Sequence, residues 1–365
     1  MKTLDFPKVD SLSYSYYMKG DWDKLITLGK QAIESDIDYK RLRQRIGYAY
    51  FVKLDYFAAK NQYEKALAFD GFDTDSRVFL YYCGINLGDE DFARYHGAKL
   101  SDDIKQSLDL QSSRWMDAID LEYNKKTNNS DIRSNPTYTR FGLNSQLGYR
   151  FSLYQSVSNY SQVVNDSTQT SQNEYYALGN YSLTANTSMS VGYHYLSTGV
   201  QGTIFPTNLY YGGVKTKIGR FNFGLNGSWM KNDMGKFKQI NVSGGVVLPV
   251  RSNIYLNSTL SRMQEAGNNR FVYSQSVGGQ LLRTVWAEGS ITLGDIKNYN
   301  DHNALYVYNS LDATTFRTGL TLFWNVSSKI ILFGNYSFDK KEIDDNNTIT
   351  NYNQQSFLGG IRWKL

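Results

Sequence analysis

The segment Phe221-Asn222-Phe223-Gly224-Leu225-Asn226-Gly227-Ser228-Trp229 decides the fold. Successive side chains of an extended strand point to opposite faces. Phe221, Phe223, Leu225 and Trp229 therefore share one face, and Asn222, Gly224, Asn226 and Ser228 the other. The same period of two continues from Trp115 to the end of the chain. Phe141, Leu143, Leu147 and Tyr149 alternate with Arg140, Gly142, Asn144, Gln146 and Gly148. Leu320, Leu322, Trp324 and Val326 alternate with Gly319, Thr321 and Asn325, and Phe357, Gly359, Ile361, Trp363 and Leu365 with Leu358, Gly360, Arg362 and Lys364. One face is apolar and aromatic, and the other is Gly, Asn, Ser, Thr and Gln with few charges. That pattern places lipid outside and a wet lumen inside.

Composition points the same way. The chain has 365 residues, of which 15% are aromatic, with 30 Tyr and 19 Phe against 4 Pro. Its mean hydropathy is nevertheless −0.49. A soluble core has no place for so many aromatic rings in so polar a chain, whereas a transmembrane β-barrel uses them on its wall and rims. Apolar runs such as Ile330-Ile331-Leu332-Phe333 fall far short of a membrane helix, which excludes a helical membrane protein. Cys83 is the single cysteine, which excludes a disulfide framework. A soluble β-sandwich is the rival fold, but it needs a separate buried face and rarely strings so many strands with aromatics on one side.

Short turns are expected at Arg150–Ser152, Ala185–Thr187, Lys217–Gly219, Pro249–Ser252, Leu282–Arg283 and Ser327–Ser328. Longer polar loops are expected near 127–137, 164–172, 197–206, 231–236, 264–269, 297–312 and 340–350. Pro136, Pro206 and Pro249 fall in these connectors, as strands require. The connectors divide residues 113–365 into about 14 antiparallel strands of ~10 or more residues, long enough to cross a bilayer. An even count returns both barrel ends to one side. Short turns face the periplasm in such barrels, so the preceding domain is expected there and the long loops outside. The last residues, Phe357 to Leu365, look like the C-terminal signal that outer-membrane barrels present to their assembly machinery. That signal usually ends in an aromatic residue, and here Trp363 stands two before the end.

Residues 1–112 form a different domain, with 18 Asp+Glu and 16 Lys+Arg. Shifted by 34 against itself, this stretch aligns Tyr14, Tyr48 and Tyr82, then Tyr17, Phe51 and Ile85, then Asp21, Asp55 and Asp89. Gly20-Asp21-Trp22, Leu54-Asp55-Tyr56 and Gly88-Asp89-Glu90 fill one slot, and Ala32 matches Ala66 as Ala59 matches Ala93. A 34-residue helix–turn–helix period is that of the tetratricopeptide (TPR) family, and the segment resembles it. Gly47, Ala59, Tyr63 and Ala66 sit where that family places its small and aromatic packing residues. The family's terminal proline is replaced near Gly71. The resemblance implies an α-helical TPR solenoid of about three repeats, whose concave face would be lined by Tyr14, Tyr17, Arg41, Gln44, Tyr48, Phe51, Tyr82 and Asn86. Two readings of these residues stand side by side: a groove that docks a peptide or partner helix, or rings half buried between helices.

The lumen-facing alternates carry Asp120, Glu122, Arg140, His194, Glu288, Arg317 and Arg362. The first and last strands must meet, so Asp120, Glu122, Arg140 and Arg362 are expected to cluster across that seam, with Glu288–Arg317 as a second pair. Such charges either select a solute or neutralise one another and brace the wall. The three histidines, His96, His194 and His302, form no catalytic constellation with Ser or acid, and no His/Cys/Asp set has metal-ligand spacing. The acidic run Glu342-Ile343-Asp344-Asp345-Asn346-Asn347 lacks a complete Ca²⁺ pattern and reads as a solvated turn. No catalytic residue, metal or cofactor is expected. The basic excess of the second domain is spread thinly, which argues against nucleic acid. Met1-Lys2-Thr3-Leu4-Asp5-Phe6 lacks the apolar core of a secretory signal, so the barrel reading expects a leader to have been removed.

Helical repeats joined to a barrel resemble, by architecture, the exopolysaccharide secretins of Gram-negative bacteria and, with so short a repeat section, the YaiO-like outer-membrane proteins. The resemblance implies a non-enzymatic outer-membrane conduit for a saccharide or other polar solute, with periplasmic repeats that dock a protein partner. The alternative is an accessory subunit of a larger envelope complex, without transport of its own.

Overall fold

The computed structural model describes residues 5–110, 113–164, 168–233, 235–248, 250, 252–309, 312–345 and 348–365. The connectors expected at 164–172, 231–236, 249–252, 297–312 and 340–350 include residues outside that set, as does the acidic run 342–347. The chain forms two compact units.

The first unit is helical: α1 (Phe6–Lys19), α2 (Trp22–Glu34), α3 (Lys40–Val52), α4 (Tyr56–Phe69), α5 (Thr74–Asn86), α6 (Glu90–Gly97) and α7 (Asp102–Ser107). The aspartates repeated every 34 residues each precede a helix. Asp55 accepts a bond of 3.0 Å from the Ala58 amide, and Asp89 one of 3.4 Å from Phe92. Each supplies an acceptor to amides that the helix cannot satisfy internally. Asp21 instead pairs with Lys24 at 3.1 Å. Small residues sit where helices touch. A Cβ on Gly47 would lie 3.0 Å from the Tyr63 ring, and one on Gly84 would lie 2.8 Å from the Ala93 amide nitrogen. Two clusters form the core, one around Leu25, Leu42 and Ile46 and one around Tyr63, Leu80 and Phe92.

The second unit is a closed antiparallel barrel of fourteen strands. Its strands are β1 (Ser113–Asn128), β2 (Thr137–Leu147), β3 (Phe151–Val164), β4 (Thr168–Ser182), β5 (Thr187–Val200), β6 (Thr203–Ile218), β7 (Phe221–Asn232), β8 (Gly235–Val247), β9 (Tyr255–Glu265), β10 (Asn268–Leu282) and β11 (Val285–Leu293). The ring is completed by β14 (Ala313–Asn325), β15 (Ile330–Asp345) and β16 (Thr348–Lys364), while β12 (Tyr299–Asp301) and β13 (Tyr306–Tyr308) form a separate two-stranded hairpin. The seam closes by β1 on β16, from Ala118↔Lys364 to Asn128↔Gln354. The outward alternates Leu121, Tyr123, Phe141, Phe223, Leu225, Leu322, Trp324, Phe357 and Trp363 are all exposed. An apolar belt of that extent on a closed sheet is a lipid-facing surface.

Two connectors expected as polar loops are tight turns. Gln201-Gly202 joins β5 to β6 and Ala266-Gly267 joins β9 to β10, and all four residues have positive φ. Pro206 consequently lies inside β6, opposite Ser197. The β7 ladder on β6 stops at Asn208↔Lys231, so Pro206 sits where the strand is an edge on that side, the position a strand allows it.

The slot shared by Gly20, Leu54 and Gly88 is left-handed in all three repeats, with φ of 73°, 64° and 69°. Glycine adopts this conformation freely, but leucine is strained by contact of its Cβ with the carbonyl. Leu54 is 61% exposed, so it has little packing to lose. Leu54→Gly is expected to stabilise the helical unit by about 1 kcal/mol. Urea unfolding followed by the helical circular-dichroism signal checks this, and an unchanged or lowered midpoint refutes it.

Candidate functional site: a hairpin in the lumen and a groove among the helices

The connector between β11 and β14, expected as an outward loop, turns into the barrel. Its wall contacts come from strands all around the ring, which only a lumenal position permits. Tyr176 of β4 donates to the Asn303 carbonyl at 2.8 Å, and Tyr211 of β6 donates to Asn303 Oδ1 at 2.8 Å. Gln239 of β8 and the Asn300 backbone exchange two bonds of 2.8 and 3.0 Å, and Asn300 Nδ2 donates to Ser228 of β7 at 2.7 Å. Tyr306 donates to Glu122 of β1 at 3.2 Å, and Asn309 donates to Gln172 of β4 at 2.7 Å. The tip residues His302, Asn303 and Ala304 are all left-handed, with φ between 51° and 65°. Strain of this kind persists only where surrounding contacts hold it.

The lumen is not wet at this level, which corrects the sequence expectation. Tyr176, Leu178, Leu209, Tyr211, Met230 and Phe237 point inward and are buried together with Ala304, and Leu305 and Val307 of the hairpin pack against them. Met263, Val272, Ile296 and Tyr299 form a second buried cluster. Both ends of the connector are fixed. Arg270 bonds Glu265, Asp295 and the Lys297 carbonyl at one end. At the other, Arg133 grips Asp312 bidentately at 2.9 and 3.0 Å, and Tyr352 donates to Asp312 at 2.7 Å. Gly294 opens the connector at φ 114°, and a Cβ there would lie 2.4 Å from the Phe271 carbonyl oxygen.

The four charges expected at the seam meet there as two neighbouring pairs. Asp120 and Arg362 face each other across the seam with bonds of 2.7 and 2.9 Å. Arg140 lies opposite Glu122 at 3.3 Å, donates to Tyr138, and stacks over the Tyr306 ring at 4.4 Å. His194 is buried against the hairpin, with Nδ1 2.8 Å from the Ala304 carbonyl oxygen and Nε2 3.3 Å from Glu174. The Glu288–Arg317 pair does not form. Register sets Glu288 opposite Gly278 and Thr321, where it accepts from Tyr255 at 2.7 Å. Arg317 lies opposite Thr292 and Asp339, binds Asp339 bidentately at 2.6 and 2.7 Å, and stacks over Tyr308 at 4.3 Å. Two wall arginines thus clamp two tyrosines of β13 by cation–π contact. The hairpin's role and its partners Glu174 and Asp339 escaped the sequence reading. The available signal was the alternation Tyr306-Val307-Tyr308 inside a supposedly polar loop.

Among the helices, Tyr14, Tyr17, Arg41, Gln44 and Tyr48 line one cavity of about 280 Å³ with Arg45, Tyr63, Asp75 and Phe79. Phe51, Tyr82 and Asn86 lie outside that lining. Phe51 packs on Tyr56 and Phe79, and Asn86 donates to the Tyr82 carbonyl at 2.8 Å. Tyr17 and Tyr48 make a tilted contact at 5.3 Å and Tyr48 and Phe79 an edge contact at 5.6 Å, so the rings also brace the helices. Asp75 and Phe79 stand 34 residues after Arg41 and Arg45, and the repeat itself could have found them.

Arg140 is 3% exposed, and its removal leaves Glu122 without its cation. Arg140→Met is expected to cost the barrel about 3–5 kcal/mol, with part recovered in Glu122→Gln/Arg140→Met. Urea unfolding in detergent micelles measures both, and equal losses would exclude the pairing.

No family model matches the chain, and no curated protein matches it. Among solved structures it is similar to the toluene transporter TodX of Pseudomonas putida, with a TM-score of 0.48 and 4% identity over 68% of this chain and 89% of that one. It is also similar to a bacterial polysaccharide outer membrane secretin, with a TM-score of 0.43 and 9% identity over 68% and 99% of the two chains. A third is the KdgM porin in complex with disordered oligogalacturonate, with a TM-score of 0.34 and 9% identity over 67% and 99%.

Proposed function

We propose that the protein is a gated outer-membrane conduit for a polar solute, shut at rest by the hairpin between β11 and β14. The observation that carries this reading is the hairpin's attachment. Its contacts with the wall are hydrogen bonds, ion pairs and ring contacts that can break one by one, each net bond contributing roughly 0.5–1.5 kcal/mol. The wall that its withdrawal would uncover bears Tyr154, Tyr176, Tyr211, Gln239 and Asn241, rings and amides that suit a saccharide. On this reading the helical unit is a periplasmic TPR docking module. Arg41 and Tyr14 are exposed at its cavity, and the carboxylate of Asp75 makes no hydrogen bond among the described residues. The second reading is an accessory subunit with a permanently sealed barrel, and the apolar packing of the hairpin favours it.

Conductance in planar bilayers separates the two. The intact chain is expected to flicker open, and replacing residues 298–309 by a short Gly-Ser connector to make it conduct steadily. An intact chain that never opens, whatever the shortened chain does, would leave the sealed accessory barrel. Docking is tested by co-purification in mild detergent. Arg41→Ala and Tyr48→Ala are each expected to lower recovery of the partner about tenfold, as for central interface residues. Unchanged recovery with both variants removes the groove.

A further inference from the structure

His194 faces two acceptors. The Ala304 carbonyl of the hairpin lies 2.8 Å from Nδ1 and can only accept. On the other side, Glu174 Oε2 lies 3.3 Å from Nε2. That carboxylate already accepts from Ser158 at 2.8 Å through Oε2 and from Gln172 at 2.5 Å through Oε1. A neutral imidazole carries one N–H and presents a lone pair on its other nitrogen. It can therefore satisfy the hairpin or the carboxylate, and it repels the one it leaves. The imidazolium presents an N–H to each. His194 is 1% exposed, so water does not relieve the mismatch.

Charge along the contact chain agrees. Glu122 meets Arg140, Arg140 bonds Tyr138, Tyr138 lies 3.5 Å from Glu174, and Glu174 meets His194. Among the described residues, Glu174 has no ion-pair partner at contact distance other than His194, so a proton on His194 supplies the cation it faces. The other titratable groups around it are Tyr176 of β4, whose ring is 5.3 Å away, Tyr211 of β6 at the hairpin tip, and Asp301 and His302 on the hairpin. Lys126 of β1 lies within electrostatic reach of Glu174.

We propose that a proton on His194 latches the hairpin in the lumen, joining it through the imidazolium to Glu174, and that loss of this proton releases it. The proposal rests on the reading of the hairpin as a gate. Its sign is definite: the barrel is held shut at acidic pH and loosens as the solution becomes alkaline.

The test uses the full chain. In planar bilayers between pH 6 and pH 9, opening frequency is expected to rise by roughly tenfold to a hundredfold, the factor for one hydrogen bond to a charged group. His194→Gln is expected to abolish the pH response, and His302→Gln to keep it. In ¹⁵N-histidine spectra in micelles, with His194 assigned by its loss in His194→Gln, both ring nitrogens are expected to be protonated at pH 6. A neutral His194 at pH 6, a flat wild-type response, or an unchanged response in His194→Gln each overturns the latch. The hairpin-shortened chain distinguishes the two failures. If it conducts at every pH while the wild type opens with one frequency at every pH, the gate stands without the latch. If it stays silent, the gate fails, and the spectra still decide the proton on His194.

Discussion

Closure of the sheet on itself is the constraint from which the rest follows. Hydrocarbon offers no partner to an unpaired backbone amide or carbonyl, so a sheet in a bilayer can have no open edge. The β1–β16 ladder, running from Ala118↔Lys364 to Asn128↔Gln354, removes that edge. It also brings residues more than 220 positions apart into contact and creates the Asp120–Arg362 pair. With the ring closed, alternation has one physical meaning: odd and even residues meet different solvents.

Fourteen strands enclose more space than their own inward side chains can fill, since small eight-stranded barrels are about the size at which they can. The hairpin supplies the missing volume here. It is buried by apolar contacts with Leu209, Met230 and Phe237, and it is fixed in place by polar ones. The polar contacts make it specific. Arg140 and Arg317 each serve a carboxylate on the wall and a tyrosine on the hairpin. Bracing the wall and holding the hairpin thus fall to the same two residues. The helical unit shows a comparable economy, because the rings that line its cavity also pack its helices.

The barrel was legible because its signal is local. Phe221 to Trp229 states its two environments within nine residues, and the short turns separate such segments cleanly. The recurrence of Asp21, Asp55 and Asp89 was legible too, and the structure gives Asp55 and Asp89 their use as caps on amides three residues away. Pairing of charges was legible where register follows from closure, as for Asp120 and Arg362, or from a neighbouring hairpin, as for Glu122 and Arg140. It failed for Glu288 and Arg317, because a displacement of four residues along the ladder is invisible to composition. Connector length misled too. Extended strands outside the bilayer carry polar residues on both faces, so 197–206 read as a loop although β5 and β6 run through it.

The sequence by itself determined a repeating helical unit, a lipid-facing strand pattern and the number of strands, because each depends on spacing along the chain. Only the tertiary structure decided that the segment from Gly294 to Asn309 turns inward. Nothing in that segment's own composition distinguishes solvent from lumen. What decides is the wall it meets: His194, Tyr176, Tyr211 and Gln239 come from strands scattered over more than sixty residues, and closure of the ring aims them at one hairpin.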